Sequence, residues 1–550
     1  MAFHLRDRGH RPLLVAALAA LIGIGILCAR PAAAATDWGK ALADSTISRF
    51  PDAKTLPWRY PRALFLYGLY QLHLRTGDTR YLDYLKRWAD THVDASGNMY
   101  DDGGWKTPVN LSNELDQLLP GRLMIILHRI TGTAKYKLAA QKLRQRFDVW
   151  PRTSDGGLWH RWGLTNQLWA DGTYMSLPFV LEYGQAYGDA TYGADEAARQ
   201  LLIYGRHLLE EGTGLIIHGY DENRASPWAD PTTGLSPEVW CRGMGWYAVA
   251  LVEVLQLLPA SHPDRAELLR RLGLIAGGIA RYQDAATGLW YEVVDKGSDP
   301  ANWLESSCSA MFAYTLSRGI EAGFLPASYQ DAAMRGYQGV LTKLSLGPDG
   351  LTNLADTVIG TGVGDAAYYY ARTRPMNDWH GLGAVLIMYE QFNKRPPDAV
   401  MLWKEAEGAS ISRPFFKGSD AAASGGRDVR IKNGKNSLAK VPSAGRLSYG
   451  FTVPRAGTYR IWARVIAPTA GDDSFWLRVD SGSWRLWEGI QRGKAWHWVD
   501  VRTAPGGPSL LLNLTKGKHT LALAPREDGI RIDRLLITDS QSYVPTGLGR

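Results

Sequence analysis

An internal repeat constrains the fold of this 550-residue chain more than any other feature. Six segments each open with aromatic or polar residues and continue as small and apolar residues at helical spacing. The segments begin at Trp58, Asn113, Leu168, Trp240, Trp303 and Asn377, in steps of 55, 55, 72, 63 and 74 residues. Each step has room for two helices and their connections. Further amphipathic helices are predicted between the segments, over residues 80–92, 134–149 and 195–209.

Repeated helical hairpins stack so that each one buries the apolar face of its neighbour. Six such hairpins, with tiny residues on one helix of each pair, predict a mainly α chain that closes into an (α/α)6 barrel. An open α-solenoid is the alternative. In the barrel, the six segments become the inner helices, and their starts surround a single cleft.

A carboxylate stands at the start of the third predicted inner helix. Asp171 lies next to Trp169, with Tyr174 one turn further on and His160 upstream. An N-cap alone would explain an aspartate at this position. A cap does not need surrounding aromatic residues, whereas a sugar site does, because pyranose rings present apolar C–H faces that stack on indoles. The 21 tryptophans of the chain favour the sugar site.

Other polar residues recur at the same end of the predicted repeats. Asp116 lies 55 residues before Asp171, in what the repeat predicts to be the equivalent position of the preceding unit. His160 and His218 occupy matching loops. The later repeats contribute Arg242, Trp246, Glu305, Asp378 and His380. A cap or a buried hydrogen bond is the structural alternative for each, but their recurrence at one end of the repeats favours one active site.

These motifs resemble a known enzyme family. Trp169-Ala-Asp171-Gly-Thr-Tyr174, Leu158-Trp-His160, Arg242-Gly-Met-Gly-Trp246 and Thr287-Gly-Leu-Trp-Tyr followed by Glu305-Ser-Ser are similar to the unsaturated rhamnogalacturonyl hydrolases, glycoside hydrolase family 105. The unsaturated glucuronyl hydrolases of family 88 are a second, weaker match. The resemblance covers about residues 40–395. It implies an (α/α)6 barrel that removes a terminal Δ4,5-unsaturated uronic acid from oligosaccharides made by polysaccharide lyases.

The resemblance also implies residue roles. Asp171 matches the general acid/base and Asp116 the second aspartate of the site; the sugar-contacting positions are matched by His160, His218, Arg242 and Trp246. The family's Trp-Leu-Asp is Trp-Ala-Asp in this chain.

In the implied mechanism, the acid protonates C4 of the enol ether, water adds at C5, and the hemiketal opens. This requires a carboxyl group that stays protonated near working pH. We expect apolar walls and the neighbouring Asp116 to keep Asp171 in that state, and Arg242 to pair with the carboxylate of the substrate. No cofactor is implied for catalysis.

Residues 1–35 are predicted to be a signal peptide. Three arginines precede an apolar run over residues 13–27, and Ala32–Ala35 supply small residues for cleavage. We therefore expect a secreted or periplasmic protein with no membrane segment after cleavage. Of the two cysteines that remain, Cys241 and Cys308, we expect buried free thiols, with a single disulfide as the alternative.

The chain changes character after the sequence Arg395-Pro-Pro-Asp, which is predicted to be a linker between a catalytic domain (36–398) and a C-terminal domain (399–550). Seven short strands with alternating polarity, over residues 447–453, 458–465, 474–479, 496–502, 509–514, 519–524 and 530–537, predict a β-sandwich. The tail resembles carbohydrate-binding modules of families 6 and 35. That resemblance implies a structural Ca²⁺, for which Glu405, Glu407 and Asp533 are the candidates. The candidates for sugar stacking are Trp476, Trp484, Trp487, Trp496 and Trp498.

Charge separates the two parts of the chain. Residues 401–550 contain 23 Lys and Arg against 13 Asp and Glu, a net charge of +10, whereas residues 36–400 carry −5. A basic module in an exported protein favours an acidic polysaccharide as partner rather than nucleic acid, although a cationic module with no such partner is an equal alternative. Two further hypotheses remain: a barrel enzyme acting on ordinary polysaccharide through an open groove, and a non-catalytic polysaccharide-binding protein.

Overall fold

A computed structural model describes residues 36–393, 399–431, 438–505, 507–540, 543, 545 and 548. The signal peptide predicted at 1–35 and the linker predicted at 395–398 lie outside these residues. Thirteen α-helices are described: α1 Trp38–Arg49, α2 Tyr60–Thr76, α3 Thr79–His92, α4 Gly121–Thr131, α5 Ala134–Arg144, α6 Asp171–Tyr187, α7 Ala190–Leu208, α8 Cys241–Leu257, α9 Arg265–Arg281, α10 Ser306–Glu321, α11 Gln330–Leu341, α12 Ala366–Tyr370 and α13 Trp379–Asn393.

Six of these helices form a closed inner ring. Helix α2 packs against α4, α4 against α6, α6 against α8, α8 against α10, α10 against α13, and α13 returns to α2. An outer helix covers each of them: α3, α5, α7, α9, α11 and α1, in the same order. The predicted (α/α)6 barrel is therefore confirmed, and the open solenoid is not, because the last inner helix contacts the first.

Burial follows the position of each helix in the ring. The inner helix α8 is buried from Cys241 to Leu255, because it faces the barrel axis on one side and an outer helix on the other. The outer helix α3 buries residues spaced by three or four, such as Tyr81, Tyr84 and Leu85, and exposes the opposite face. This contrast explains why the inner segments are rich in small and apolar residues all round.

Short antiparallel strands stand at the start of several repeats. They are β1 Gln167–Trp169 with β4 Gly219–Asp221, β2 Leu209–Glu210 with β3 Leu215–Ile216, β5 Trp290–Tyr291 with β6 Leu304–Glu305, and β7 Leu344–Leu346 with β8 Thr352–Leu354. The β1–β4 pair links the loops before the third and fourth inner helices, with Trp169 opposite Gly219. Strand pairs thus fix the loops that precede several inner helices.

The tail consists of antiparallel strands: β9 Met401–Glu405, β10 Ser410–Ile411, β11 Phe415–Ser419, β12 Arg427–Ile431, β13 Leu447–Val453, β14 Gly457–Ala467, β15 Phe475–Val479, β16 Arg485–Trp487, β17 Gly493–Asp500, β18 Leu512–Leu514, β19 Gly517–Pro525 and β20 Arg531–Thr538. One sheet has the order β10-β13-β19-β15-β16. The other has the order β11-β12-β20-β14-β17, with β18 added on β14 and β9 on β20. Apolar residues of both sheets form one core.

The tail packs against the barrel. Trp462 and Leu536 join the hydrophobic core of the helical part, and the Arg502 guanidinium donates to Asp331 of α11 at 2.7 Å. Within the described ranges, no helix has both the length and the apolar character that crossing a membrane would need.

Candidate active site

The strand pair β1–β4 brings two predicted site residues together. Trp169 pairs with Gly219, and the N–H of Ala170 donates to the carbonyl of His218 at 2.9 Å. Asp171, the first residue of α6, therefore lies beside His218, and the two side chains are joined by a hydrogen bond of 3.0 Å between His218 Nε2 and Asp171 Oδ2. His218 is fully buried and Asp171 is 7% exposed. The two residues come from different repeats, 47 positions apart.

The hydrogen bond from His218 continues into a third residue that the sequence did not predict. His218 Nδ1 lies 2.7 Å from the hydroxyl of Tyr369, on the short helix α12. The same hydroxyl accepts the N–H of Gly364 at 3.2 Å. Gly243 makes room for this arrangement, because a Cβ atom there would lie only 3.0 Å from the His218 ring. The close approach allowed by this glycine is thus to the histidine.

The two aspartates have opposite proton affinities. Burial alone would raise the pKa of Asp171, but the hydrogen bond from His218 and the charges of His218, His160 and Arg242 hold it below its usual range. The pKa of Asp116 is raised well above its usual range by burial, then by Glu114 and by the charge of Asp171. The prediction that Asp171 is the carboxyl with the raised pKa is therefore wrong: the proton is favoured on Asp116, because Asp171 has a histidine partner.

Asp116 also differs from its predicted position. It lies in a 3₁₀ turn, Leu115–Gln117, four residues after which α4 begins at Gly121. Asp171 instead opens its helix, so the two residues are not equivalent in consecutive repeats. They nevertheless share one cleft, because the charges of both raise the pKa of the same half-buried phenol, Tyr60 at the start of α2.

Arg242 is buried beside the cleft, where its charge acts on Asp171 and His380. Its side chain is 0% exposed, and its guanidinium donates to the carbonyls of Val358 and Ile359 at 2.7 Å each and to Ser307 Oγ at 3.3 Å. Glu305 Oε1 lies 3.8 Å from Nη1. The predicted pairing of Arg242 with a substrate carboxylate stays a prediction, because both of its Nη atoms are already bonded within the protein. Its two carbonyl bonds support the loop before α12, whereas its Nε has no hydrogen-bond partner among the described residues.

Aromatic residues form the wall and the floor of the cleft. His160 stacks on Trp169 with ring centroids 4.5 Å apart, and Trp169 is half-buried. Trp246 stacks on Tyr174 at 5.2 Å, and both are 1% exposed. Tyr174 is held from below by a hydrogen bond from Arg122 at 3.1 Å. Trp169 and His160 are thus placed to line the cleft, whereas Tyr174 closes its lower end under Trp246.

The buried polar atoms near this cleft that lack a hydrogen-bond partner among the described residues include Asp116 Oδ1, His160 Nδ1 and Trp246 Nε1. Leaving such an atom unpaired costs about 1–3 kcal/mol each. Burial lowers the pKa of His160 to about 4, so its imidazole is neutral at pH 7. The three atoms are therefore available to a polar ligand with several hydroxyl groups.

A second layer of buried acids lies behind Arg242. Glu305 caps α10 through the N–H of Cys308, and Glu292 accepts from the indole of Trp240 at 2.9 Å. Burial, followed by the charge of Glu305, raises the pKa of Glu292 to about 8. Both side chains are fully buried. Their role is to support the starts of the fourth and fifth inner helices.

Cys241 and Cys308 form a disulfide with Cα atoms 5.6 Å apart. The expectation of free thiols is therefore wrong. Cys241 opens α8 and Cys308 lies in the first turn of α10, and these are neighbouring inner helices. Two cysteines at equivalent positions on adjacent helices are close enough to bond.

The candidate residues of the tail are largely engaged with other parts of the tail. Asp533 is ion-paired with Arg464, and Glu405 Oε1 lies 3.0 Å from Arg534 Nε. No group of three or more His, Cys, Asp and Glu residues in the described parts of the chain is arranged to hold a metal. Calcium binding by Glu405, Glu407 and Asp533 therefore stays a prediction. Trp487 is buried in the tail's core, so it is not a stacking surface.

Comparisons with known proteins agree with this picture of the barrel. The family model of Glycosyl Hydrolase Family 88 matches residues 38–395. Protein Atu3128 of Agrobacterium fabrum is 36% identical over 231 residues, 40% of this chain and 97% of that protein. The unsaturated rhamnogalacturonyl hydrolase YesR of Bacillus subtilis is 28% identical over 265 residues, 47% of this chain and 70% of that protein. A solved family 105 glycoside hydrolase of C. acetobutylicum has a TM-score of 0.61 and 32% identity, covering 65% of this chain and 99% of that one.

Proposed function

The chain belongs to Glycosyl Hydrolase Family 88, and we propose that it removes a terminal Δ4,5-unsaturated uronic acid from oligosaccharides made by polysaccharide lyases, those from rhamnogalacturonan in pectin first among them. The observation that carries this proposal is the pair of buried aspartates with opposite proton affinities, surrounded by unpaired polar atoms. The similarity to YesR supports the choice of substrate. Membership of a hydrolase family excludes a purely non-catalytic binding protein.

Hydration of an enol ether needs one group that gives a proton and one that takes a proton. We infer that Asp116 gives its proton to C4 of the unsaturated ring, while positive charge develops at C5 and the ring oxygen. Water then adds to C5, and its proton passes to Asp171, whose carboxylate is held ionised by His218. The C5 hemiketal opens to a ketone, and the hemiacetal left at C1 releases the partner sugar as an alcohol. Two titratable groups with separated pKa values are the usual arrangement for acid/base catalysis.

The shape of the cleft favours removal of a terminal sugar. Trp246 and Tyr174 close the barrel axis below Asp171, and the space beneath them is a void of about 20 Å³ lined by Leu64, Val249, Met311 and other apolar residues. A polysaccharide cannot pass through such a floor. This argues against the alternative of an ordinary polysaccharide hydrolase with an open groove.

We propose that His160, His218, Trp169 and Trp246 line the substrate site together with the newly found Tyr60. His160 Nδ1 and Trp246 Nε1 are the unpaired donors or acceptors that sugar hydroxyls would satisfy. Trp169, half-buried and stacked on His160, offers its remaining surface to a sugar ring. A neutral histidine can accept from a sugar hydroxyl or donate to one, depending on its tautomer.

The decisive experiment compares lyase digests of pectin, ulvan and glycosaminoglycan as substrates. Loss of the ultraviolet absorbance of the conjugated uronate reports turnover. Activity on the pectin digest supports the rhamnogalacturonyl assignment. Activity confined to ulvan or glycosaminoglycan products favours the alternative, an unsaturated glucuronyl hydrolase. The proposal fails if no digest loses absorbance with the wild-type chain.

We propose that residues 36–398 form the catalytic domain and residues 399–550 a β-sandwich module that binds acidic polysaccharide. Support comes from the net charge of +10 on the tail and from its two sheets over one core. Trp484 lies between Arg446 and Arg478, at 4.8 and 4.7 Å from its ring. Replacing both arginines with glutamine in the full chain should reduce retention on a polygalacturonate gel at low salt. Replacing Arg87 and Arg206 on the barrel is the matched control, and equal retention in both variants would refute the module's role.

We further propose export of the chain with cleavage near Ala34 or Ala35. The arginines and the apolar run of the first 35 residues support this. N-terminal sequencing of the protein recovered from the periplasm and from the medium tests the cleavage and separates the two destinations. An intact N-terminus in the cell fraction alone would refute it.

A further inference from the structure

The hydroxyl of Tyr369 is held by two bonds that fix its direction. It accepts the N–H of Gly364 at 3.2 Å and lies 2.7 Å from His218 Nδ1. The phenol ring is fully buried, packed with Trp240, Val293 and Val358. Tyr369 and Trp240 are stacked with centroids 6.1 Å apart. Because the backbone N–H occupies one lone pair, the hydroxyl can direct its only proton at the imidazole.

This direction determines which nitrogen of a neutral His218 carries the proton. If Tyr369 donates to Nδ1, that nitrogen is the acceptor and the proton is on Nε2. Nε2–H then points at Asp171 Oδ2, 3.0 Å away. The chain of donors runs from Gly364 through Tyr369 and His218 to Asp171. With a neutral imidazole, all of these hydrogen bonds can form only if each donor points along the series towards Asp171.

We propose that Tyr369 is a positioning residue of the reaction: its hydroxyl holds His218 in the Nε2–H tautomer, aimed at Asp171, so that Asp171 is ready to accept the proton of the attacking water. This inference rests on the proposed function for its catalytic meaning. The tautomer itself does not depend on any substrate. Tyr369 acts through His218 and need not touch the sugar.

Several other charged or titratable groups face this series of hydrogen bonds from the surrounding helices and loops. Arg242 on α8 and His160 in the loop before β1 both act on Asp171. Asp116 and Tyr60 face it across the cleft. Glu292 acts on the Tyr369 side. Removing the hydroxyl of Tyr369 changes none of these groups, so the effect of the hydroxyl can be separated from the effects of the other charges.

The first test measures the tautomer directly. In full-length protein labelled with [¹⁵N]histidine, the two ring nitrogens of His218 are identified by comparison with His218→Asn. The Nε2–H tautomer is expected in the wild type, and a mixture or the Nδ1–H form in Tyr369→Phe, which keeps the ring and its packing. Tyr368→Phe is the matched control: it lies on the same helix, and its hydroxyl accepts from Gly362 rather than bonding to His218. An unchanged Nε2–H tautomer in Tyr369→Phe would overturn the proposal.

The second test uses kinetics. We expect Tyr369→Phe to lower kcat/KM at least about tenfold, and to move the acidic limb of its pH profile to higher pH, because a weaker bond from His218 lets Asp171 hold its proton longer. In a His218→Asn background, Tyr369→Phe should have no further effect, since the residue through which it acts is gone. Equal losses in both backgrounds, or a loss with an unmoved pH profile, would show a merely structural role. If the wild type turns over no digest, the proposed function fails, while the tautomer measurement still decides the role of Tyr369.

Discussion

Arg242→Lys separates two explanations of a buried arginine. The resemblance to known hydrolases implies contact with the sugar, whereas the structure shows a support for the loop before α12, the helix that carries Tyr369. In the first case, the lysine variant should keep its stability and lose activity. In the second, it should lose stability, because the planar fork that reaches Val358 and Ile359 together is replaced by a point charge.

The size of the loss follows from the contacts. Arg242 makes two charge-assisted hydrogen bonds of 2.7 Å and faces Glu305 at 3.8 Å, with both side chains fully buried. A lysine retains the charge but can reach one carbonyl well, leaving the other buried and unpaired at a cost of about 1–3 kcal/mol. Arg242→Met leaves both carbonyls unpaired and removes the cation beside Glu305, which keeps only its hydrogen bonds from Ser307, Cys308 and Val358. Breaking a buried pair in this way costs about 3–5 kcal/mol.

Urea unfolding followed by tryptophan fluorescence measures these losses. We expect the order wild type, Arg242→Lys, Arg242→Met in decreasing midpoint, with kcat/KM falling in the same order. Arg206→Lys is the matched control, because Arg206 lies on an outer helix and its side chain is 62% exposed. A lysine variant with the wild-type midpoint and a kcat/KM at least about tenfold lower would refute the structural explanation and restore the contact with substrate.

Three further predictions concern the acids and the disulfide. Asp171→Asn and Asp116→Asn should each lower kcat by about 10²–10⁴-fold without moving the urea midpoint; a wild-type rate in either variant removes that residue from the mechanism. Glu292 has a folded pKa of about 8, above that of a free glutamate, so the wild type loses stability as pH rises from 4.5 to 8; Glu292→Gln should gain melting temperature over the wild type across that window, and a constant difference at pH 5 and 8 would contradict this. Replacing Cys241 and Cys308 together with serine should cost about 2–4 kcal/mol, measured by urea unfolding without reductant; an unchanged midpoint would show that the bond adds nothing.

The barrel could be predicted from the sequence because its cause is local. Small and apolar residues recur at helical spacing in six segments, and a helix of that kind must be covered on all sides. The seven strands predicted in the tail all overlap observed strands. Their alternation of polar and apolar residues is also a local pattern. The strands β9 to β12 and β16 were not predicted, since alternation is weak in short strands with exposed residues such as Phe416.

The site could be predicted only in part. Asp171, His160 and His218 were found because they lie in repeated loops. Tyr369 was missed because its five-residue helix α12 is too short to show a periodicity, and because it lies 151 residues from its partner His218. The direction in which Arg242 points depends on where the carbonyls of residues 358 and 359 lie, which no local pattern encodes.

The proton affinities show the same limit. Two carboxylates in a cleft predict that one pKa is raised, but not which one. The choice is made by a hydrogen bond from His218, and this bond exists because β1 pairs with β4. A sequence pattern that marks both strands does not state their register.

Closure of the inner ring has a consequence for how the chain comes to be active during its synthesis. The contact between α2 and α13 joins segments that leave the ribosome more than three hundred residues apart, and contacts of such sequence separation form slowly. Tyr60 emerges with the first of them, whereas Tyr369 and His380 emerge near the last. A nascent chain that stops short of α13 therefore holds Asp171 and His218 but has an open seam along its apolar interior. Such an intermediate is prone to aggregate, so a chaperone that covers that seam until the final inner helix arrives would protect the protein when it is most vulnerable.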